Sequence, residues 1–157
     1  MEKTTWALLS LSEQELLTHA EQVMAFAYSP YSTFCVGAAL LALDGSIHIG
    51  TNMENATHTE TIHAEMAALT VANTRGIRQF STLAVIGKPR EGMSREPVMP
   101  CGICRQLLHE FAQLGSGDIQ ILASNTKKDT IIRTSLNELL PQAFGPKDLN
   151  IDLSLYR

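Results

Sequence analysis

The tightest constraint on how this chain can fold is a pair of short motifs. His63-Ala64-Glu65 and, 38 residues later, Pro100-Cys101-Gly102-Ile103-Cys104 each stand where a helical pattern begins. Cys101 and Cys104 are three apart, so on a helix both sulfurs lie on one face and reach a single ion, and the positive end of the helix favours their thiolate form. His63 supplies a third donor. A fold that uses both motifs must bring two helix N-termini together. A zinc site with three protein ligands keeps a fourth position for water, the arrangement of a catalytic rather than a closed structural site. Zinc brings such water to a pKa of about 7, giving hydroxide at neutral pH, while a neighbouring carboxylate accepts and returns the proton. Glu65 is the candidate for that shuttle. Two apart on a regular helix, His63 and Glu65 would point to nearly opposite sides. They can share a site if His63 stands at the helix entry, before helical dihedrals set in.

Other readings of these residues stay open. The Cys-x-x-Cys pair could be a redox dithiol, and Cys35 could close a four-ligand structural site, although a small core residue in the Phe34-Cys35-Val36-Gly37-Ala38 run explains it more simply. Glu65 alone could be a solvated first-turn carboxylate favoured by the helix dipole. His19, His48, His58 and His109 lack ligand spacing and read as surface or structural histidines.

Composition narrows the partners. The net charge of −4, with no Lys/Arg run longer than Lys127-Lys128, disfavours holding polyphosphate, and 6% aromatics are too few for a base-stacking platform. A nucleic-acid substrate is therefore not expected. No stretch of 18 apolar residues exists, and Met1-Glu2-Lys3 lacks the basic start of a secretory signal, so no membrane partner is expected and the location is expected to be cytoplasmic. Three cysteines, an odd count, fit metal or redox chemistry in a reducing compartment better than a disulfide framework. A chain of 157 residues is read as one domain spanning 1–157.

Along the chain, Ser12-Glu13-Gln14-Glu15 reads as a capping box, with Leu11 and Leu16 as a hydrophobic staple, opening a helix with Leu16, Leu17, Ala20, Met24 and Ala27 on its apolar stripe. Residues 35–42 and 47–50 read as strands of a hairpin around Asp44-Gly45. Residues 62–75 read as a helix stopped by Gly76, 83–87 as a strand, and 88–99 as a loop delivering Pro100 and Cys101 to a helix that ends at Gly115. Strands at 119–123 and 130–132 follow, and Ser135 to Glu138 repeats the capping-box spacing before a last short helix. The order α-β-β-α-β-α-β-β-α is that of an α/β layered sheet with helices on its faces.

The His-x-Glu and Pro-Cys-x-x-Cys pattern is the signature of zinc deaminases. Beyond it, the chain resembles the small, single-domain cytidine deaminases from Ala27 to Leu149. The resemblance is carried by Tyr28-Ser29-Pro30-Tyr31-Ser32, Phe34, Val36-Gly37-Ala38-Ala39-Leu40-Leu41, Asn52-Met53-Glu54-Asn55-Ala56, the zinc motifs with Arg105-Gln106, Glu138-Leu139-Leu140-Pro141 and Ala143-Phe144. It implies a three-layer α/β fold with a mixed sheet of about five strands, one Zn²⁺ per subunit on His63, Cys101 and Cys104, and Glu65 as the catalytic residue. It implies substrate-binding positions at Phe34, Asn52, Glu54, Ala64 and Phe144. Among these, Asn52 and Glu54 would hold the ribose hydroxyls, Phe34 would pack beside the nucleoside, and Phe144 would reach a neighbouring subunit's site. It also implies a homotetramer, a homodimer being the alternative. Read without the family, residues 52–55 are a polar turn with Asx hydrogen bonds.

The expected function is hydrolytic deamination of cytidine and/or 2′-deoxycytidine with release of ammonia, as in pyrimidine salvage. The alternatives are a deaminase of a modified cytosine nucleoside or of an antibiotic of the blasticidin S type, and a zinc-stabilised binding protein without catalysis. Retention of both Asn52 and Glu54 speaks for an ordinary ribose, since blasticidin-type enzymes depart from that pair. Four departures from the family pattern stand out: His63 for the usual Cys, Met66 for the usual Arg after the glutamate, His58-Thr59-Glu60 in a loop bordering the site, and Met99 beside the base. The first two compensate. Three thiolates on Zn²⁺ leave −1 for an arginine to neutralise, whereas one imidazole and two thiolates leave zero.

Overall fold

The computed structural model describes residues 1–156. Two long strands with apolar centres, β2 (Phe34–Ala42) and β4 (Phe80–Pro89), lie within a six-stranded sheet with β1 (Glu2–Thr4), β3 (Ile47–Thr51), β5 (Gln120–Ser124) and β6 (Ile131–Ser135). The strand order is β1-β6-β5-β4-β2-β3. Only β4 and β5 pair in parallel, and all other neighbours are antiparallel. A parallel pair needs a crossover, and α3 (Gly102–Ala112) supplies it. The helix carrying the two cysteines is thus fixed in place by the sheet's connectivity.

Both sheet faces are covered, which is why the central strands read as unbroken apolar runs rather than as alternation. On one face α1 (Leu11–Val23) packs Leu16, Leu17 and Ala20 over Ala39, Ala84, Ile86 and Leu122. On the other, α2 (Ala64–Thr74) and α3 set Ala64, Ala68, Ala72 and Leu108 over Ala38, Leu40, Leu83, Val85 and Ile121. Alanines on both sides of the contact bring α2 close to the sheet. Gly50 takes this furthest, because a Cβ there would stand 2.2 Å from the Ala68 nitrogen and 2.5 Å from the Ala64 carbonyl oxygen. The start of α2, with the first metal motif, is therefore seated directly on β3.

The three-layer α/β architecture is as expected, as is the hairpin of β2 and β3. The second capping box also forms, Ser135 and Glu138 opening α4 (Leu136–Leu139). The sheet has a sixth strand, because residues 2–4 pair with β6. Three residues with only Thr4 buried carry no apolar alternation that could announce a strand. The first capping box sits two residues earlier than the sequence indicated. Ser10, not Ser12, caps α1, its hydroxyl accepting from the Glu13 N–H while the Glu13 carboxylate accepts from the Ser10 N–H. Ser10-x-x-Glu13 has the same spacing as Ser12-x-x-Glu15, and it wins because Glu13 also reaches Arg133 on β6. The expected Leu11–Leu16 staple does not form: Leu11 is exposed and Leu16 is buried.

Candidate active site

The N-termini of α2 and α3 meet at one end of the sheet. His63 is the N-cap of α2, with φ −78° and ψ 156°, and Cys101 is the N-cap of α3, with φ −73° and ψ 173°. Both are extended rather than helical, so the objection that His63 and Glu65 face opposite ways falls. His63 leaves the helix axis at its mouth, while Glu65 is already inside the first turn. The His63 Nδ1 lies 3.3 Å from the sulfur of Cys101 and 3.3 Å from that of Cys104, and the two sulfurs are 3.6 Å apart.

This spacing fits a metal. A tetrahedral zinc with bonds of ~2.3 Å to sulfur and ~2.1 Å to nitrogen separates its sulfurs by about 3.8 Å and sulfur from nitrogen by about 3.6 Å. A few tenths of an ångström of opening would admit the ion. Among the described residues no other histidine or cysteine joins the group. Cys35 cannot be a fourth ligand: it is buried in the cluster beneath α1, on the other face of the sheet, with its sulfur 3.5 Å from the Ser29 hydroxyl. The position of His63 against both sulfurs likewise favours a metal centre over a redox dithiol. Burial pushes the Cys104 thiol far up from its ordinary value, and the Glu65 carboxylate adds to it. Only a cation makes a thiolate favourable there.

Glu65 is 5% exposed. Burial raises its carboxyl pKa above the ordinary range, opposed by hydrogen bonds from its own backbone and the Cys104 thiol and by the charge of His63. It is not a solvated first-turn carboxylate.

In front of this group lies a cavity of about 300 Å³, lined by Phe34, Asn52, Glu54, His63, Ala64, Glu65 and Cys101 together with Ser32, Val36, Thr61, Val98 and Met99. Phe34, Asn52, Glu54 and Ala64 are thus gathered at one cavity, and Met99 stands at its wall. Phe144 is 61% exposed and does not line this cavity. The sequence gives Ser32, Val36, Thr61 and Val98 no role at the site, since nothing in their chemistry distinguishes them from neighbours. His58 stacks edge-on against Tyr31, with centroids 5.1 Å apart, and is not among the lining residues.

Asn52 and Glu54 both grip backbone across the site. The Val36 N–H donates to Asn52 Oδ1 at 2.9 Å, and Asn52 Nδ2 donates to the Phe34 carbonyl at 2.9 Å. Glu54 accepts from the N–H groups of Tyr31 at 2.8 Å and Ser32 at 3.3 Å. Hydrogen bonding from Ser32 is the main reason its carboxyl is held below the ordinary value. Asn52 therefore makes long-range clamps, whereas the polar-turn reading holds for Asn55, whose side chain accepts from the Thr57 N–H. Arg105 fixes the cysteine helix, donating to the carbonyls of Pro100 and Leu139.

A donor set of this kind, open on its cavity side and mounted on a covered α/β sheet, places the protein in the class of zinc-dependent hydrolytic deaminases, with one zinc per subunit. The family model for the cytidine and deoxycytidylate deaminase zinc-binding region matches residues 11–115. The cytidine deaminase of Sporosarcina psychrophila is 42% identical over 137 residues, covering 87% of this chain and 94% of that protein. That of Halalkalibacterium halodurans is 40% identical over 140 residues, covering 89% and 99%. The crystal structure of the cytidine deaminase from Burkholderia pseudomallei matches with a TM-score of 0.75 at 35% identity, over 87% of this chain and 100% of that one. The chain belongs to the cytidine deaminase family.

Proposed function

We propose that the protein hydrolyses the exocyclic amine of cytidine and 2′-deoxycytidine, releasing ammonia and uridine or 2′-deoxyuridine, with Glu65 as the proton shuttle. The observation that carries this is the buried Glu65 carboxyl beside a three-donor metal site, facing a cavity bordered by Asn52 and Glu54. Zinc, when held by His63, Cys101 and Cys104, supplies a Lewis acid that makes water nucleophilic near neutral pH. Glu65 takes a proton from that water and gives it to N3 of the ring. As the oxygen joins C4 and the C4–N bond breaks, it returns the second proton to the departing amine, so water adds and ammonia leaves in balance. A carboxyl whose proton affinity is raised by burial suits both directions of this transfer.

The remaining roles follow the chemistry of each lining group. Ala64 offers only backbone to a base, and Phe34 an aromatic face. Asn52 has one N–H and one lone pair left after its clamps, and Glu54 has lone pairs beyond those taken by Tyr31 and Ser32, which suits ribose hydroxyls. The exposed Phe144 completes the site of a neighbouring subunit in a homotetramer. Residues 1–157 act as one domain, in the cytoplasm, where the reducing poise keeps Cys101 and Cys104 available to metal. Among the described residues no helix is long and apolar enough to cross a membrane.

The test is loss of cytosine absorbance on mixing zinc-loaded protein with cytidine or 2′-deoxycytidine, with ammonia measured alongside. Glu65→Gln is expected to keep its zinc and to lose turnover by at least about 10²-fold. Near-wild-type turnover in that variant removes Glu65 from the role. Inert wild-type protein that consumes a cytosine nucleoside antibiotic would replace the ordinary nucleoside as substrate.

A further inference from the structure

Loop 27–33 is the segment that presents Ser32 and, at its end, Phe34 to the cavity. It is held in a costly conformation: Thr33 has φ 56°, which a β-branched residue adopts only when its surroundings over-determine it. Two of those restraints come from residues that line the cavity: Asn52 holds Phe34 and Val36, just past the loop, and Glu54 holds Tyr31 and Ser32 within it.

The backbone of Tyr28 also pairs with Asn52 and Glu54, and a further restraint comes from outside. Arg90, which follows β4 and does not line the cavity, makes three hydrogen bonds to this one loop. Its backbone N–H donates to the Thr33 carbonyl at 2.6 Å, and its Nη2 donates both to the Ala27 carbonyl at 3.1 Å and to the Ser29 hydroxyl at 3.1 Å. Ser29 is fully buried, and its carbonyl accepts from the Thr33 N–H, so the guanidinium pins the point from which the strained residue is itself held. Among the described residues the Arg90 guanidinium joins no ion pair. Its charge is spent on two neutral acceptors of the loop, bonds stronger than neutral pairs.

Resting on the deaminase reading above, we propose that Arg90 is a positioning residue for substrate binding. It holds loop 27–33 from the side away from the cavity, so that Phe34 and the Glu54 carboxylate stay placed for the sugar when ligand hydroxyls draw on the inner clamps. It touches neither the metal donors nor Glu65, so its removal acts on binding and leaves the chemical step alone.

The experiment compares zinc-loaded wild type, Arg90→Met and Arg90→Lys by steady-state kinetics with cytidine and by backbone hydrogen exchange. Arg90→Met is expected to raise KM about tenfold with kcat within about twofold, and to speed exchange at residues 29–34 while α3 and β5 keep wild-type protection. Arg90→Lys, which keeps a cationic donor on a long stem, is expected to recover most of the KM. An unchanged KM, a fall confined to kcat, or unchanged exchange in the loop overturns the proposal. Wild-type protein that leaves cytidine intact overturns the deaminase reading instead, and the exchange comparison then decides alone whether Arg90 holds the loop.

Discussion

His48 shows how a residue without a part in catalysis can set the pH range of the fold. It is buried on β3, with its Nε2 on the Ser46 hydroxyl at 2.9 Å and its Nδ1 lacking any partner among the described residues. Burial lowers its pKa from the ordinary value, the charge of Arg75 lowers it further, and Asp44 works the other way. A depressed imidazole pKa means that the folded state binds the proton less readily than the unfolded one. The associated stability is complete above the ordinary histidine pKa of about 6.5 and drains away as pH falls from there toward the folded value. Urea midpoints at pH 7.5 and 5.5 are expected to differ more for wild type than for His48→Leu. Equal differences would show that His48 does not contribute to the slope. At this scale the three donors, Glu65, Asn52 and Glu54, all legible as candidates in the sequence, arrive at one site. It did not show that Asn52 is a clamp on Phe34 and Val36, because partners 16 and 18 residues away are invisible to local turn chemistry. Nor did it single out Arg90, whose role exists only once β4 has brought it beside loop 27–33.

At the scale of elements, the site depends on how closely α2 lies on β3. Gly50→Ala would drive a Cβ into the backbone of Ala64 and Ala68, atoms that cannot step aside without moving the helix. The variant is expected to lose about 1–3 kcal/mol of stability by thermal or denaturant unfolding and, because His63 and Glu65 ride on the displaced end, to bind zinc more weakly. Wild-type zinc affinity in a destabilised Gly50→Ala protein would mean that the site adjusts independently of the helix seat. The helices and long strands were legible because each carries an apolar period or an unbroken apolar run. The ends were less so: β4 extends from Phe80 to Pro89 where the apolar run alone marked 83–87, since strand pairing continues through polar residues once a neighbour is in register.

For the whole molecule, two apolar clusters of comparable extent lie on either side of the sheet, and none of the three metal donors belongs to either. The fold should therefore outlast the ion. Dialysis against a chelator is expected to abolish turnover while leaving the far-ultraviolet dichroism of the protein in place, and added zinc should restore activity. Unfolding on metal removal would instead mark a structural site and favour a binding protein over an enzyme. The three-layer architecture was foreseeable from the order of helices and strands, but the sixth strand was not, because β1 owes its existence to a partner distant in sequence, at residues 131–133.

That last pairing has a bearing on how the protein is made. Glu2 lies opposite Arg133 in the sheet, so β1 waits until β6, the last of the six strands, has been made before it can be laid down. At synthesis rates of ~5–20 residues per second the delay is on the order of ten seconds. Throughout it the nascent segment has no edge to join. β2, β3 and β4 can already associate behind it, and the pairing of β1 with β6 becomes the last step in closing the sheet.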